Sequence, residues 1–184
     1  MTMTDATLPF SHPLRLADLA QRKPTRFALA PDAAARARIA AWADALELHE
    51  LRLAGTLTPK GRRDWLLEAE LTARVVQPCV ITLAPVTTVI DEPVLRRYLA
   101  ELPAPAAPET EIPEDTGIEP LPEVIDLGAV MLEAFELALP LYPRAPGAEL
   151  GAVAVTETGL APLRDEAPRP FAGLDKLLGD KRGQ

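Results

Sequence analysis

The chain has 184 residues, 48% of them hydrophobic but only 4% aromatic, enough for one domain with a core of Leu, Val and Ala plus peripheral segments. Its single cysteine excludes an internal disulfide framework and a cysteine-rich zinc site, and no apolar run reaches the roughly 18–20 residues of a membrane-spanning helix. Net charge is −8 but uneven: residues 1–98 carry 13 Lys and Arg against 11 Asp and Glu, and residues 99–184 carry 6 against 16, so only the front half can offer phosphates a basic face.

Residues 1–24 read as an extended N-terminal arm. Pro9, Pro13 and Pro24 bar a long helix, while Leu14, Leu16 and Leu19 can dock on a core. The arm lacks a basic start followed by an apolar segment, which predicts no secretion signal and a cytoplasmic protein. Thr25 to Leu29 alternates and predicts a strand. Asp32 then suits the N-cap of a helix rich in alanine. Ile39, Trp42 and Leu46 share one side of it, and the helix is expected to lie across a sheet.

That sheet is built on a hairpin. Leu51, Leu53 and Leu57 alternate with polar or small residues, and Gly55 marks a bulge or a close backbone approach. Trp65, Leu67, Ala69, Leu71, Ala73 and Val75 fall on one strand face, with Glu68, Glu70, Thr72 and Arg74 on the other. Pro59 to Asp64 supplies the turn. Its tip holds Lys60, Arg62 and Arg63. Val80 to Ile90 continues strand-like, with Pro85 suggesting an edge or a bulge, and Asp91 to Leu99 reads as a short helix or an exit segment carrying Arg96 and Arg97.

Residues 101–126 contain six prolines and eight acidic residues with no Lys or Arg, too little apolar surface to offset the entropy of ordering. A mobile acidic loop is expected at about 101–117. From Asp126, an N-cap candidate, a helix is expected to Leu139 with Leu127, Val130, Met131, Ala134, Leu137 and Ala138 on its apolar stripe. Pro140 and Pro143 stop it. Residues 144–184 read as a largely irregular tail, in which Pro170 to Leu178 can form one or two amphipathic turns. The expected organisation is thus an arm at 1–24, a single α+β domain at 25–143 and a tail. The fold class is α+β: a mainly antiparallel sheet built on a central hairpin and covered by one or two helices.

Little in the chain suggests catalysis. The only serine is Ser11, in the arm, and His12 and His49 lack metal-ligand spacing to each other or to Cys79. No glycine-rich phosphate loop occurs. Glu68 and Glu70 read as a solvated strand face. Cys79 reads as a buried, inert thiol, since no cation or histidine adjoins it in sequence. No catalytic residue, metal or cofactor is therefore assigned. The protruding tip Lys60, Arg62 and Arg63 can reach phosphates, although the same residues also suit a solvated turn. Arg36 and Arg38 on the first helix, with Arg96 and Arg97, are the further candidates. Arginine is common throughout and asparagine absent, so arginine counts alone weigh little.

The segments VVQPCVITLAPVTTVID, RRY and VIDLGAVMLEAFELALPLYPRAPGA resemble the YceD family, the large ribosomal RNA subunit accumulation proteins, and its alphaproteobacterial-type members look especially similar. The resemblance spans about Phe27 to Gly147. It rests most specifically on the strand around Cys79 and the helix start Asp126-Leu127-Gly128. Many relatives carry a second cysteine three residues after the first, and some a further cluster near the C-terminus. Here Thr82 stands at the former position and the tail has none, so a metal site does not carry over. The resemblance implies a cytoplasmic factor for synthesis, processing or stability of large-subunit ribosomal RNA, without catalytic residues. Two functions follow as expectations. The first is an RNA- or pre-ribosome-binding factor using Lys60, Arg62, Arg63, Arg36, Arg38, Arg96 and Arg97. The second is an adaptor that holds a basic ribosomal protein or an RNA-processing enzyme without touching RNA. A ribonuclease is a weaker third.

Overall fold

The computed structural model describes residues 8–61, 63–101, 117–149 and 151. Nearly all of the expected acidic loop, most of the expected tail and the whole of Pro170 to Leu178 lie outside the described residues. The chain divides after Ala148, and the architecture is that of the first unit.

The hairpin dominates. Strand β3 (Glu47–Lys60) and strand β4 (Asp64–Pro78) pair antiparallel from Lys60↔Asp64 to Glu47↔Val76. Gly61 takes a left-handed φ of 60° at the turn, which suits a residue without Cβ. Strands β1 (Pro13–Arg15), β2 (Thr25–Leu29), β5 (Pro85–Leu99), β6 (Ile118–Pro120) and β7 (Val124–Asp126) complete the β structure. The main sheet has the order β2-β3-β4-β5-β6, antiparallel except for the parallel pair β5–β6; β1 and β7 form a separate two-stranded ribbon. Helix α1 (Ala33–Trp42) packs on β3, and helix α2 (Leu127–Ala138) on β4, β5 and β1.

The expected alternation of β4 decides which face is sealed. Leu67, Leu71 and Val75 are wholly inaccessible, and Trp65 and Ala73 nearly so, while Glu68, Glu70 and Arg74 are exposed. Leu51, Leu53 and Leu57 of β3 and Ile90, Val94 and Tyr98 of β5 join them in one core with Ile39, Met131, Leu132 and Phe135 from the helices. Each such side chain contributes about 1.5–3 kcal/mol on leaving water. The register slips between Leu48 and Glu50. His49 is the extra residue, so both Leu48 and Leu51 reach the core. The bulge therefore lies there and not at Gly55, which is a close approach: a Cβ on Gly55 would overlap the backbone of Glu68 and Ala69 on β4.

Three local expectations are corrected. Residues 79–84 form a turn, closed by Cys79 N–H to Ala84 O and Leu83 N–H to Cys79 O, and 91–99 are strand, not helix. β5 runs unbroken against β4 from Pro78↔Pro85 to Trp65↔Tyr98. Pro93 is accommodated because β6 reaches only Arg97 to Leu99, so β5 has one neighbour at that point. On α1, Trp42 is 37% exposed and Leu46, beyond the helix end, 54%; Ile39 alone of the three is buried. On α2 the expected Leu127, Val130 and Met131 are buried and Ala134 and Ala138 pack against the core, but Leu132 and Phe135 are buried with them and Leu137 is 77% exposed. The bulky side chains at spacings of three and four set the helix's rotation, and the flanking alanines follow. The segment expected as an arm contributes β1 and a 3-10 turn, Leu16–Asp18. Leu16 is buried, and Leu14 and Leu19 pack against the core.

Candidate nucleic-acid interface

Three of the expected cations meet at the hairpin end. Lys60 closes β3 and is exposed. Arg63, just before β4, is 74% exposed and lies 3.9 Å from Glu101, a long, solvent-screened pair. Arg97 is exposed on β5, between Leu66 of β4 and Ile118 of β6. A cavity of about 250 Å³ lies between Lys60 and Arg97. Arg62 lies outside the described residues.

The other candidates lie elsewhere. Arg36 donates from Nε to Leu48 O (3.2 Å) and from Nη1 to Pro31 O (2.8 Å), pinning α1 to β3. Its anchor Leu48 stands twelve strand residues from Lys60, about 40 Å at the rise of a β-strand. Arg38 is exposed on the same helix. Arg96 is only 16% exposed and sits between Glu119 (3.1 Å) and Glu133 (2.9 Å). Burial first, and then Glu133, raise the Glu119 carboxyl above its ordinary value despite Arg96. Arg96 thus ties β5 to β6 and to α2. The six described cations do not make one continuous patch.

Sequence reasoning passed over Arg26, Arg52 and Arg74, which share the outer sheet face with Arg97. The signal was present, since Arg52 and Arg74 occupy outward positions in the alternation. That face also carries Glu50, Glu68, Glu70 and Asp91, with Glu50 directly opposite Arg74. Its charge is mixed, and at the hairpin end Asp64 lines the cavity between Lys60 and Arg97 while Glu101 stands near Arg63.

Cys79 is fully enclosed, as expected, but not electrostatically neutral. Its Sγ accepts N–H groups from Ala145 (3.3 Å), Ile81 and Thr82 (both 3.5 Å). The Ala145 amide first, then the side chain and amide of Thr82, bring the thiol down to about 6 against the opposing effect of burial. These donors belong to the 79–84 turn and to a distant segment, so no neighbour in sequence announces them. The Asp126-Leu127-Gly128 motif is also structural. Asp126 caps α2 by accepting the N–H groups of Gly128 (2.8 Å) and Ala129 (3.2 Å). It also accepts from Ser11 Oγ (2.6 Å) and His12 N–H (2.7 Å). A Cβ on Gly128 would stand 2.7 Å from Ser11 Cα, so glycine lets the N-terminal segment close over the helix start. Burial raises the Asp126 carboxyl, and these hydrogen bonds outweigh it, leaving the group below its ordinary value.

Among the described residues no group of three His, Cys, Asp or Glu side chains could hold a metal ion, and no helix is long and apolar enough to cross a membrane. Fold and site together define a small α+β protein with a cationic hairpin end. The family model described as large ribosomal RNA subunit accumulation protein YceD matches residues 67–178, more than half of the chain. The chain belongs to the YceD family, whose description ties it to ribosome biogenesis. No curated protein matches the chain, and no solved structure matches it.

Proposed function

We propose that the chain is a non-enzymatic cytoplasmic factor supporting synthesis, processing or stability of large-subunit ribosomal RNA. It acts by binding RNA or pre-ribosomal particles through the hairpin end. The observation that carries this reading is the convergence of Lys60, Arg63 and Arg97 at one end of the long β3–β4 hairpin. Asp64 and Glu101 stand beside them, and Lys60 and Arg63 keep their charges in solvent. Arg62 stands between Lys60 and Arg63 in sequence. Phosphates engage such a cluster through charge and counterion release. Arg36 and Arg96 serve the fold in this reading, and Arg38 is a separate, distant contact. Crosslinking in cells followed by sequencing of the attached RNA tests it. Large-subunit precursor RNA should be enriched, and the enrichment should vanish in the variant Lys60→Ala/Arg63→Ala. Absence of enrichment over background would refute it.

A second reading, the adaptor, is favoured by the opposite end of the sheet. Val80, Leu83, Leu137, Leu141 and Tyr142 are all exposed there. The bonds Val80 N–H to Pro143 O and Ala145 N–H to Cys79 Sγ hold the two segments together. A ribosomal protein or RNA-processing enzyme would dock on this apolar end. Leu141→Ser/Tyr142→Ser should then abolish copurification of the partner, while RNA crosslinking through the hairpin end stays at background throughout.

A further inference from the structure

The hairpin end holds a hollow that charge alone does not explain. A cavity of about 370 Å³ opens between the 3-10 turn Leu16–Asp18 and the turn end of the hairpin. Leu16 and Trp65, both buried, line it together with Leu121. Gln21 and Arg63 form its polar rim, and Ala17, exposed, flanks the mouth. The Gln21 amide is held in place by Nε2 donating to Leu16 O (3.2 Å) and to Leu19 O (3.4 Å), which leaves Oε1 to accept. Arg63 keeps most of its guanidinium in solvent.

An apolar wall with a few convergent polar groups is the usual make-up of a small-ligand site, and the volume falls in the lower part of the roughly 300–1,000 Å³ range of such sites. Apolar side chains at the floor, an open and largely polar mouth with one amide acceptor, and one rim cation suit a flat heterocycle bearing N–H groups and joined to an anion. A nucleotide has that make-up. In a duplex the base is stacked and paired and cannot enter. In a single strand it can be turned out into a pocket and stacked on an aromatic or a guanidinium plane. A smaller cavity lined by Lys60, Asp64 and Arg97 lies beside the hollow, and the exposed Lys60 can meet a flanking phosphate.

We propose that the hollow lined by Leu16, Trp65 and Leu121 takes one unpaired base of single-stranded RNA, with Gln21 on the base edge and Arg63 on an adjoining phosphate. The protein then selects unpaired segments of its RNA over duplex. This rests on the RNA-binding reading above and goes beyond it in naming the strand state and the seat of the base.

The test is binding of the full chain to a single-stranded oligoadenylate of about twelve nucleotides, to the same strand in a duplex, and to adenosine monophosphate. The wild type should prefer the single strand. Ala17→Phe fills the mouth without removing a charge. It should weaken single-strand binding by about five- to hundredfold, the worth of one stacked base, and leave duplex binding unchanged. Gln21→Ala, at an exposed position, repeats the test without adding volume and should lower single-strand affinity selectively. Circular dichroism checks that both variants fold. Equal affinity for the two strand states, unmoved by Ala17→Phe and Gln21→Ala, overturns the base site; weakening of both by Lys60→Ala would leave the hairpin-end reading standing. Mononucleotide bound as tightly as the oligomer overturns the assignment to RNA. Absence of binding to every RNA overturns the inference and the reading beneath it.

Discussion

At Asp126 one carboxylate does two jobs, capping α2 and fastening the Ser11 hydroxyl and the His12 backbone N–H. Its folded-state pKa is depressed. Its contribution to stability is therefore complete above the unfolded value of about 3.9 and disappears as pH falls through the lower folded value. Asp126→Ala should cost about 1–3 kcal/mol at neutral pH by denaturant unfolding, and should flatten the acid limb of the stability curve. Cys79 separates two properties that usually travel together, a low pKa and reactivity. The thiolate absorbance of the folded protein should titrate near 6. Alkylation should nonetheless stay slow until the protein unfolds, because the sulfur has no access to solvent. An absorbance midpoint near the ordinary thiol value, or fast labelling of the native state, would contradict this. The inertness was read from the residues around Cys79 but the low pKa was not, since the leading donor is the amide of Ala145, 66 positions away.

At the scale of elements, β4 is the central strand, paired along its whole length with β3 and β5. Its core face was legible because a period-two pattern assigns every second side chain to one side whatever the partners. β5 was not legible. Pro85, Pro93 and four charged residues mask the alternation of Ile90, Val94 and Tyr98, and pairing with β4 is a long-range event that propensity does not report. Most of the α2 stripe was legible; Leu132 and Phe135 were missed and Leu137 misplaced because alanines flank the bulky side chains and neighbouring stripes fit the same sequence. Leu71→Ala removes a fully buried side chain from the core that both helices share and should cost about 2–5 kcal/mol. Gly55→Val should be comparably harmful, because its Cβ meets β4 backbone and not the end of a flexible side chain. Thermal or chemical unfolding measures both.

Across the whole molecule the two ends of the sheet differ in chemistry. One end gathers Lys60, Arg63 and Arg97; the other exposes Leu83, Leu137, Leu141 and Tyr142. The basic tip was readable because turn residues keep their charges in solvent. Which arginines were already engaged was not: the carboxylates around Arg96 come from β6 and α2, and the carbonyls around Arg36 from β3 and the segment before its own helix. A chain with net charge −8 can bind RNA only where local charge overcomes the whole, and such binding must weaken steeply with salt. The most direct measurement is the affinity of wild type and Lys60→Ala/Arg63→Ala for large-subunit ribosomal RNA fragments across a salt series. Binding through the hairpin end predicts weaker affinity for the double variant and a log-log salt slope shallower by about two, one for each phosphate that no longer meets a cation. Unchanged affinity with an unchanged slope would show that RNA is not held at the hairpin end.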